Sequence, residues 1–506
     1  KSMVVELSEL DARGRIPVME VVRRMETALD VEKTTRRFYN GYQEQHEQLL
    51  LHIKGIDNER DRRWYASVIL NRLMFVWFLQ KKLFLNNKDE HYLLNKLKES
   101  RQRGPDRFYG ELLNALFFEV FAKPETERSP ELKTLTGVIP YLNGGLFLYH
   151  KLEEDESGQP RVGITLHIPD AAFDGIFQLF SSYSWHLDDT PAGSADELNP
   201  DVLGYIFEKY INQKAFGAYY TRPEITGYLA ERSIHRLILE RVRQEALPAL
   251  GLPAVSFPTV ADMLARMDAR TALRLVNEVL PSLTILDPAV GSGAFLVAAL
   301  KVLINIYYAI VGRAELGASK ELDAWLKTIR KDHSSVGYYI KRKIVTDNLY
   351  GVDIMEEACE IAKLRLFLAM VASVRRVEEL EPLPNIDFNI LPGNSLVGLI
   401  HVDPARFDSL TAAPVINQPV KEKECDMVAE PGLDFGAFST SVRKDLTAEY
   451  RTQSKIEKFS RLLEEKNRKL AIYRNTSQLA GQKMDMRGLR DDIDNAMKQA
   501  GEIMNH

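Results

Sequence analysis

The chain has 506 residues, 45% hydrophobic and 27% charged, with a formal net charge of −5. This is folded, globular composition with room for roughly two to four domains. The near balance of charge excludes a generally basic nucleic-acid-coating protein, so DNA contact would come from a local patch or from a region outside this sequence. The two cysteines, Cys359 and Cys425, lack CxxC spacing, which argues against a disulfide framework or a zinc knuckle and makes the cytoplasm the expected location.

Residues 1–200 read as a mostly helical N-terminal domain, with polar helices at Thr34–Lys54 and Glu90–Arg103 around an apolar helix at 64–85. The run from Trp64 to Leu85 is broken by Asn71, Arg72, Gln80, Lys81 and Lys82. It therefore falls short of the roughly 20 uninterrupted apolar residues of a membrane span and reads as a buried helix, with no membrane partner expected. A glycine turn follows at Tyr141–Phe147, and exposed loops are expected at Glu153–Pro160 and Leu187–Ser194.

Residues 201–401 change character. A helix begins near Leu203–Glu208, and a second starts cleanly after Thr221, with Thr221 as its expected cap and Pro223 in its first turn. Strands are expected at Leu283–Leu286, Asn348–Val352 and Asp387–Leu391, with helices at Ala294–Val311 and Glu356–Val374 between them. That alternation predicts an α/β domain with a Rossmann-like, doubly wound parallel sheet, interrupted by a helical insertion at 312–346. Residues 402–506 read as an irregular segment followed by two polar, charge-mixed helices broken near Gly481. The sequence starts at Lys1 without a signal peptide and stops at His506 inside a helical pattern, so it is read as a piece of something longer.

The chemistry concentrates where an apolar strand runs into a glycine turn that opens a helix: Ile285-Leu-Asp287-Pro288-Ala289-Val-Gly291-Ser-Gly293-Ala-Phe295-Leu296. Glycines let the backbone approach a bound group, and the helix offers free N–H groups there. A dinucleotide site uses similar hardware, but Leu296 stands where its third small residue belongs. The Asp287 carboxylate beside the turn suits a cationic cofactor, S-adenosylmethionine (SAM), better than a pyrophosphate. Asp353, followed by Ile354, ends the second strand, where an acid can accept both ribose hydroxyls of an adenosine moiety. Gly393-Asn394-Ser395-Leu396 follows the third strand, where a small polar loop could read the adenine edge; as a string by itself it is more often a simple turn.

In this order, Gly217-Ala-Tyr-Tyr220-Thr221-Arg-Pro223-Glu-Ile225, the glycine turn, Gly351-Val-Asp353-Ile354 and Gly393-Asn394-Ser395-Leu396 resemble motifs X, I, II and III of the gamma-class amino-methyltransferases of DNA. Gly204–Glu208 and the Tyr141–Phe147 turn also resemble the large adenine-specific (N6) methylases of bifunctional type IIG restriction–modification enzymes and of phage-exclusion systems. Arg222 replaces a proline common in motif X, and Asn394 stands where many members carry aspartate.

The resemblance implies a SAM pocket in which Tyr220, Thr221 and Pro223 border the methionine end. Asp287 and the Gly291–Gly293 turn border the amino acid and sulfonium, Asp353 the ribose and Asn394 the adenine, with Pro288, Ala289, Phe295, Ile354 and Ser395 also expected in the pocket. It implies double-stranded DNA as partner, with possible restriction or defence-system subunits. The family's Asn/Asp-Pro-Pro-aromatic acceptor motif does not occur in the sequence; Leu198-Asn-Pro-Asp201 and Ile416-Asn-Gln-Pro419 are the nearest strings. The chain is accordingly expected to stop short of that loop, with no catalytic residue and no metal site named. A SAM-sensing scaffold without transfer activity is the alternative, and a nicotinamide dehydrogenase is disfavoured by Leu296 and Asp287-Pro288.

Overall fold

The computed structural model describes residues 31–142, 147, 149–155, 157–185, 197–198, 200, 204, 221–243, 256–317, 319–396, 459, 461–473 and 486–505. The chain divides into two compact units, Lys1–Ser395 and Leu396–His506. Expected features at Asn143–Leu146, Leu187–Ser194, Tyr220, the helix near Leu203–Glu208 (of which only Gly204 is described) and 402–435 lie outside the described residues.

Among the described residues, the first unit opens with helices α1 (Val31–His52), α2 (Glu59–Lys81) and α3 (Tyr92–Arg103), then π-helical turns at Phe108–Leu113 and Ala115–Val120. Next come α4 (Pro130–Thr136), α5 (Ala172–Ser181) and a short parallel ladder of β1 (Ser184–Trp185) with β2 (Glu197–Leu198). Asn58 caps α2 by accepting from the amides of Arg60 and Asp61 at 2.9 and 3.2 Å, satisfying two of the orphan donors of a helix start.

From Trp64 to Gln80 every residue of α2 is buried, so this helix is core on all sides, as its composition predicts. Three of the polar residues that interrupt its apolar run have partners across the fold. Arg72 meets Glu153 at 2.7 Å, Gln80 Oε1 accepts the Leu93 amide at 3.0 Å, and Lys82 donates to the Ala372 carbonyl at 2.7 Å. In the loop expected to be exposed, Asp155, Ser157 and Gln159 are exposed, but Glu153 is not. It heads an acidic run yet is buried, because Arg72, distant in sequence, supplies the counter-charge that makes burial tolerable.

The rest of the first unit contains α6 (Pro223–Val242), α7 (Val260–Arg266), α8 (Ala269–Arg274) and β3 (Ile285–Asp287). It continues with α9 (Ala294–Glu315), α10 (Lys320–Asp332), α11 (Val336–Asp347), β4 (Leu349–Asp353), α12 (Glu356–Ala372) and β5 (Ile390–Pro392). Pro223 opens α6 as expected, but Thr221 does not cap it. The capping position is Arg222, in extended conformation and without a side-chain cap, because proline at the first helical position already removes one orphan donor. The stretch 312–346 is helical, as anticipated, and Ser319 and Ser335 cap α10 and α11.

The strands pair in parallel in the order β3-β4-β5, with Asp287 opposite Gly351 and Asp353 opposite Pro392. Strand order follows chain order, so right-handed crossovers place α9 and α12 on one face. The reversal of order that defines double winding is not found among the described residues. Among the described long helices the most apolar is α9 rather than α2. By length and composition α9 could cross a membrane, and here it packs on α6, α10, α11, α12, β3 and β4.

Two buried asparagines hold the strands where they enter the sheet. Asn348, just before β4, donates through Nδ2 to the carbonyls of Leu280 and Leu283, both at 2.7 Å. Asn389, just before β5, donates to those of Thr346 at 2.9 Å and Leu349 at 3.0 Å. Each grips the chain that leads into the preceding strand.

The second unit contains α13 (residues 461–473) and α14 (Met486–Asn505). Lys469 joins them, at 2.8 Å from Glu465 and 3.0 Å from Asp492.

Candidate cofactor-binding site

β3 delivers Asp287 to the exit edge of the sheet, and the chain then makes its glycine turn before α9. Gly291 and Gly293 take positive φ values of 50° and 82°, a region costly for residues with a Cβ. Their surroundings differ. A methyl group on Gly293 would lie 3.1 Å from the Cβ of Ala362 in α12, whereas one on Gly291 would meet nothing within 4 Å. Gly293 thus serves packing, and Gly291 borders open space that a ligand could fill.

The turn is stitched to the neighbouring strand. Val290 donates its amide to the Val352 carbonyl at 2.9 Å, and Gly291 donates to Asp353 Oδ2 at 2.8 Å. Gly351 permits this approach: a Cβ there would sit 2.7 Å from Cγ2 of Val290. Beneath the turn Ser292 is fully buried, its carbonyl and Oγ both accepting from Arg365 Nη1, at 2.9 and 3.0 Å.

Asp353 also accepts the Met355 amide through Oδ1 at 2.9 Å, and its carbonyl accepts the Gly393 amide at 2.7 Å. The second bond draws Gly393-Asn394-Ser395 beside the acid. The glycine turn, Asp353 and the 393–395 loop, separated in sequence, therefore meet at one edge. Ile354, 70% exposed, and Leu286, 60% exposed, leave apolar surface there.

Asp287 is the most strained group chemically. Its Oδ1 accepts the Ala289 amide at 3.1 Å, while Oδ2 is buried with no hydrogen-bond partner. Burial pushes the carboxyl above its ordinary range, the Ala289 amide opposes this, and the charge of Asp353 adds to the rise. A cationic ligand group would satisfy the buried oxygen and reverse the shift.

Of the residues expected at the site, Asp287, Pro288, Ala289, Gly291, Gly293, Asp353, Asn394 and Ser395 are brought together through this turn and its ties. Phe295 opens α9 and Ile354 flanks Asp353. Thr221 and Pro223 lie at the start of α6, which packs along α9. Val290, Ser292, Arg365 and the Met355 amide also build the site. Arg365 has no local sequence signal, since its partner lies 73 positions away.

Residues 263–445 match the family described as MmeI, DNA-methyltransferase domain, and this span contains every element of the turn-and-acid edge. A protein of Methanocaldococcus jannaschii, described as a type II restriction enzyme and methyltransferase, is 36% identical over 368 residues. The chain is similar to restriction–modification DNA methyltransferases. The archaeal match covers 68% of this chain and 28% of the relative. DNA methyltransferase A of Bacillus subtilis is 23% identical over 308 residues, covering 60% of this chain and 27% of the relative. The chain thus spans about a quarter of the length of the curated relatives it matches. The solved structure of the type IIL restriction–modification enzyme MmeI in complex with DNA superposes with a TM-score of 0.45 at 19% identity, over 71% of this chain and 40% of that one. Residues 43–162 match a domain of unknown function, DUF7814.

Proposed function

We propose that this chain is the SAM-binding part of a type IIG-like, gamma-class DNA methyltransferase that modifies adenine at N6 within a restriction–modification or defence system in the cytoplasm. The observation that carries the reading is the buried, unpartnered Oδ2 of Asp287 at a glycine turn with open space over Gly291. An uncompensated buried carboxylate oxygen is costly, and a ligand ammonium is the group it suits.

In this reading Asp287 accepts the cofactor's amino group, and the open side of Gly291 admits its amino acid portion. Asp353 keeps its backbone bonds while its remaining lone pairs accept the ribose hydroxyls; Asn394 and Ser395 take the adenine edge, with Ile354 against its ring. Tyr220, Thr221 and Pro223 border the methionine end from the start of α6. SAM supplies a methyl group on a sulfonium when bound. Double-stranded DNA is the proposed partner, with the target base turned out of the stack at a cost of a few kcal/mol, and the residues that receive it belong to the acceptor side of the domain. A Rossmann-like, doubly wound sheet completes the reading.

The test is a calorimetric titration of the folded chain with SAM and, separately, NAD. The reading expects SAM to bind and NAD not to; binding of NAD in place of SAM overturns it. Adenine specificity is tested on the full-length protein by digesting labelled duplex DNA to nucleosides, where label on N4-methylcytosine rather than N6-methyladenine would correct the base.

A further inference from the structure

Helix α12 begins three residues beyond Asp353, and its first turns carry Glu356, Glu357 and Glu360. Such acids favour a helix N-terminus, but they also crowd one another. Burial raises the Glu357 carboxyl, and the charges of Glu360 and Glu356 add to the rise. A short arm of the helical region answers this crowding. Lys151 Nζ lies 2.8 and 3.0 Å from the two carboxylate oxygens of Glu356, and His150 Nε2 lies 3.3 Å from Glu360.

Trp64 of α2 sets both arm residues. The His150 ring stands edge-on to it at 4.3 Å between centroids, and the Lys151 ammonium sits 4.3 Å from its ring centroid. The arm is pinned in turn by Glu153, whose Oε2 accepts the His150 amide at 2.7 Å while Oε1 accepts from Arg72 at 2.7 Å and Tyr65 at 2.8 Å. At the other end of α12, Lys82, just past α2, donates to the Ala372 carbonyl. Helix α2 and its arm therefore hold α12 at both ends.

We propose that the region matched to a domain of unknown function acts as a brace for the cofactor site, with Trp64, His150 and Lys151 as positioning residues that fix the first turn of α12 and thereby the Asp353 carboxylate. This rests on the reading of the Asp287–Asp353 edge as a SAM site. Exposed ion pairs contribute little to stability, so the effect of the brace is on position. A displacement of about 1 Å in a binding group is enough to weaken it many-fold.

The experiment uses the full chain with Lys151→Arg, Lys151→Glu, Glu356→Lys and the Lys151→Glu/Glu356→Lys exchange. It reads amide hydrogen exchange over 353–360, SAM affinity and thermal midpoint. Lys151→Glu is expected to speed exchange and weaken SAM binding by up to about fivefold with little change in midpoint. The charge exchange should restore both, and Lys151→Arg should resemble the parent. Wild-type exchange rates in Lys151→Glu, or failure of the charge exchange to restore them, overturns the brace. If the parent chain binds no SAM, the cofactor reading falls, and the exchange rates alone decide the brace.

Discussion

Gly291 donates its backbone N–H to Asp353 Oδ2 at 2.8 Å although 62 positions separate them. The bond makes the glycine turn and the acid one object: neither can shift without the other. It also divides the work of the carboxylate between holding the turn and facing a ligand.

Replacing Asp353 should therefore affect stability and binding together. Asp353→Ala removes acceptors for the Gly291 and Met355 amides, a loss of about 1–3 kcal/mol, and should abolish measurable SAM binding. Thermal melting and calorimetry on the same preparation check both. Unchanged SAM affinity would remove Asp353 from the site.

The two glycines should separate these effects. Gly351→Ala forces a methyl to within 2.7 Å of Val290 and should cost about 1–3 kcal/mol by overpacking, seen as a lower urea midpoint. Gly291→Ala meets open space but takes φ of 50°, so it should cost only about 1–2 kcal/mol while lowering SAM affinity further than Gly351→Ala per unit of stability lost. Equal affinity losses at matched stability would contradict an open cradle at Gly291.

The raised pKa of Asp287 gives a signed pH dependence. Because the folded value lies above the unfolded one, the stability from protonation is present below the unfolded pKa and lost as pH rises through the folded value. A cationic ligand reverses the preference, so SAM binding should release protons and weaken as pH falls through that raised value. Calorimetry in buffers of different ionisation enthalpy reads the release directly, and Asp287→Asn should remove it. A buffer-independent enthalpy in the parent chain would argue against a cation at Asp287.

In the helical region, Glu153→Gln removes the buried carboxylate that Arg72 meets at 2.7 Å. Breaking such a pair costs about 3–5 kcal/mol, whereas Arg72→Met with Glu153→Gln should recover much of that loss. Urea unfolding of the single and double variants measures the difference; a single variant as stable as the parent would show that the pair contributes little.

The local part of this site was legible in the sequence. Two glycines after an apolar strand, an acid at each of two strand ends and a proline at a helix start are features a few residues wide, set by backbone conformation. The features that were not legible depend on distant partners. Glu153 looks exposed in its acidic run until Arg72 is placed against it. Arg365 is unremarkable in a helix until Ser292 lies beneath the turn, and Thr221 yields its expected capping role because Arg222 and Pro223 already set the helix start. Double winding needs strands beyond β3, β4 and β5, and no local pattern in those three strands can supply the reversal.

Asn348 and Asn389 grip the chain at the entering ends of the strands, while Asp287 and Asp353 work at the leaving ends. The two acids are thus held from behind as well, by short side chains that tie the entry of each strand to the chain leading into its neighbour, with Asn389 reaching Thr346 at the end of α11.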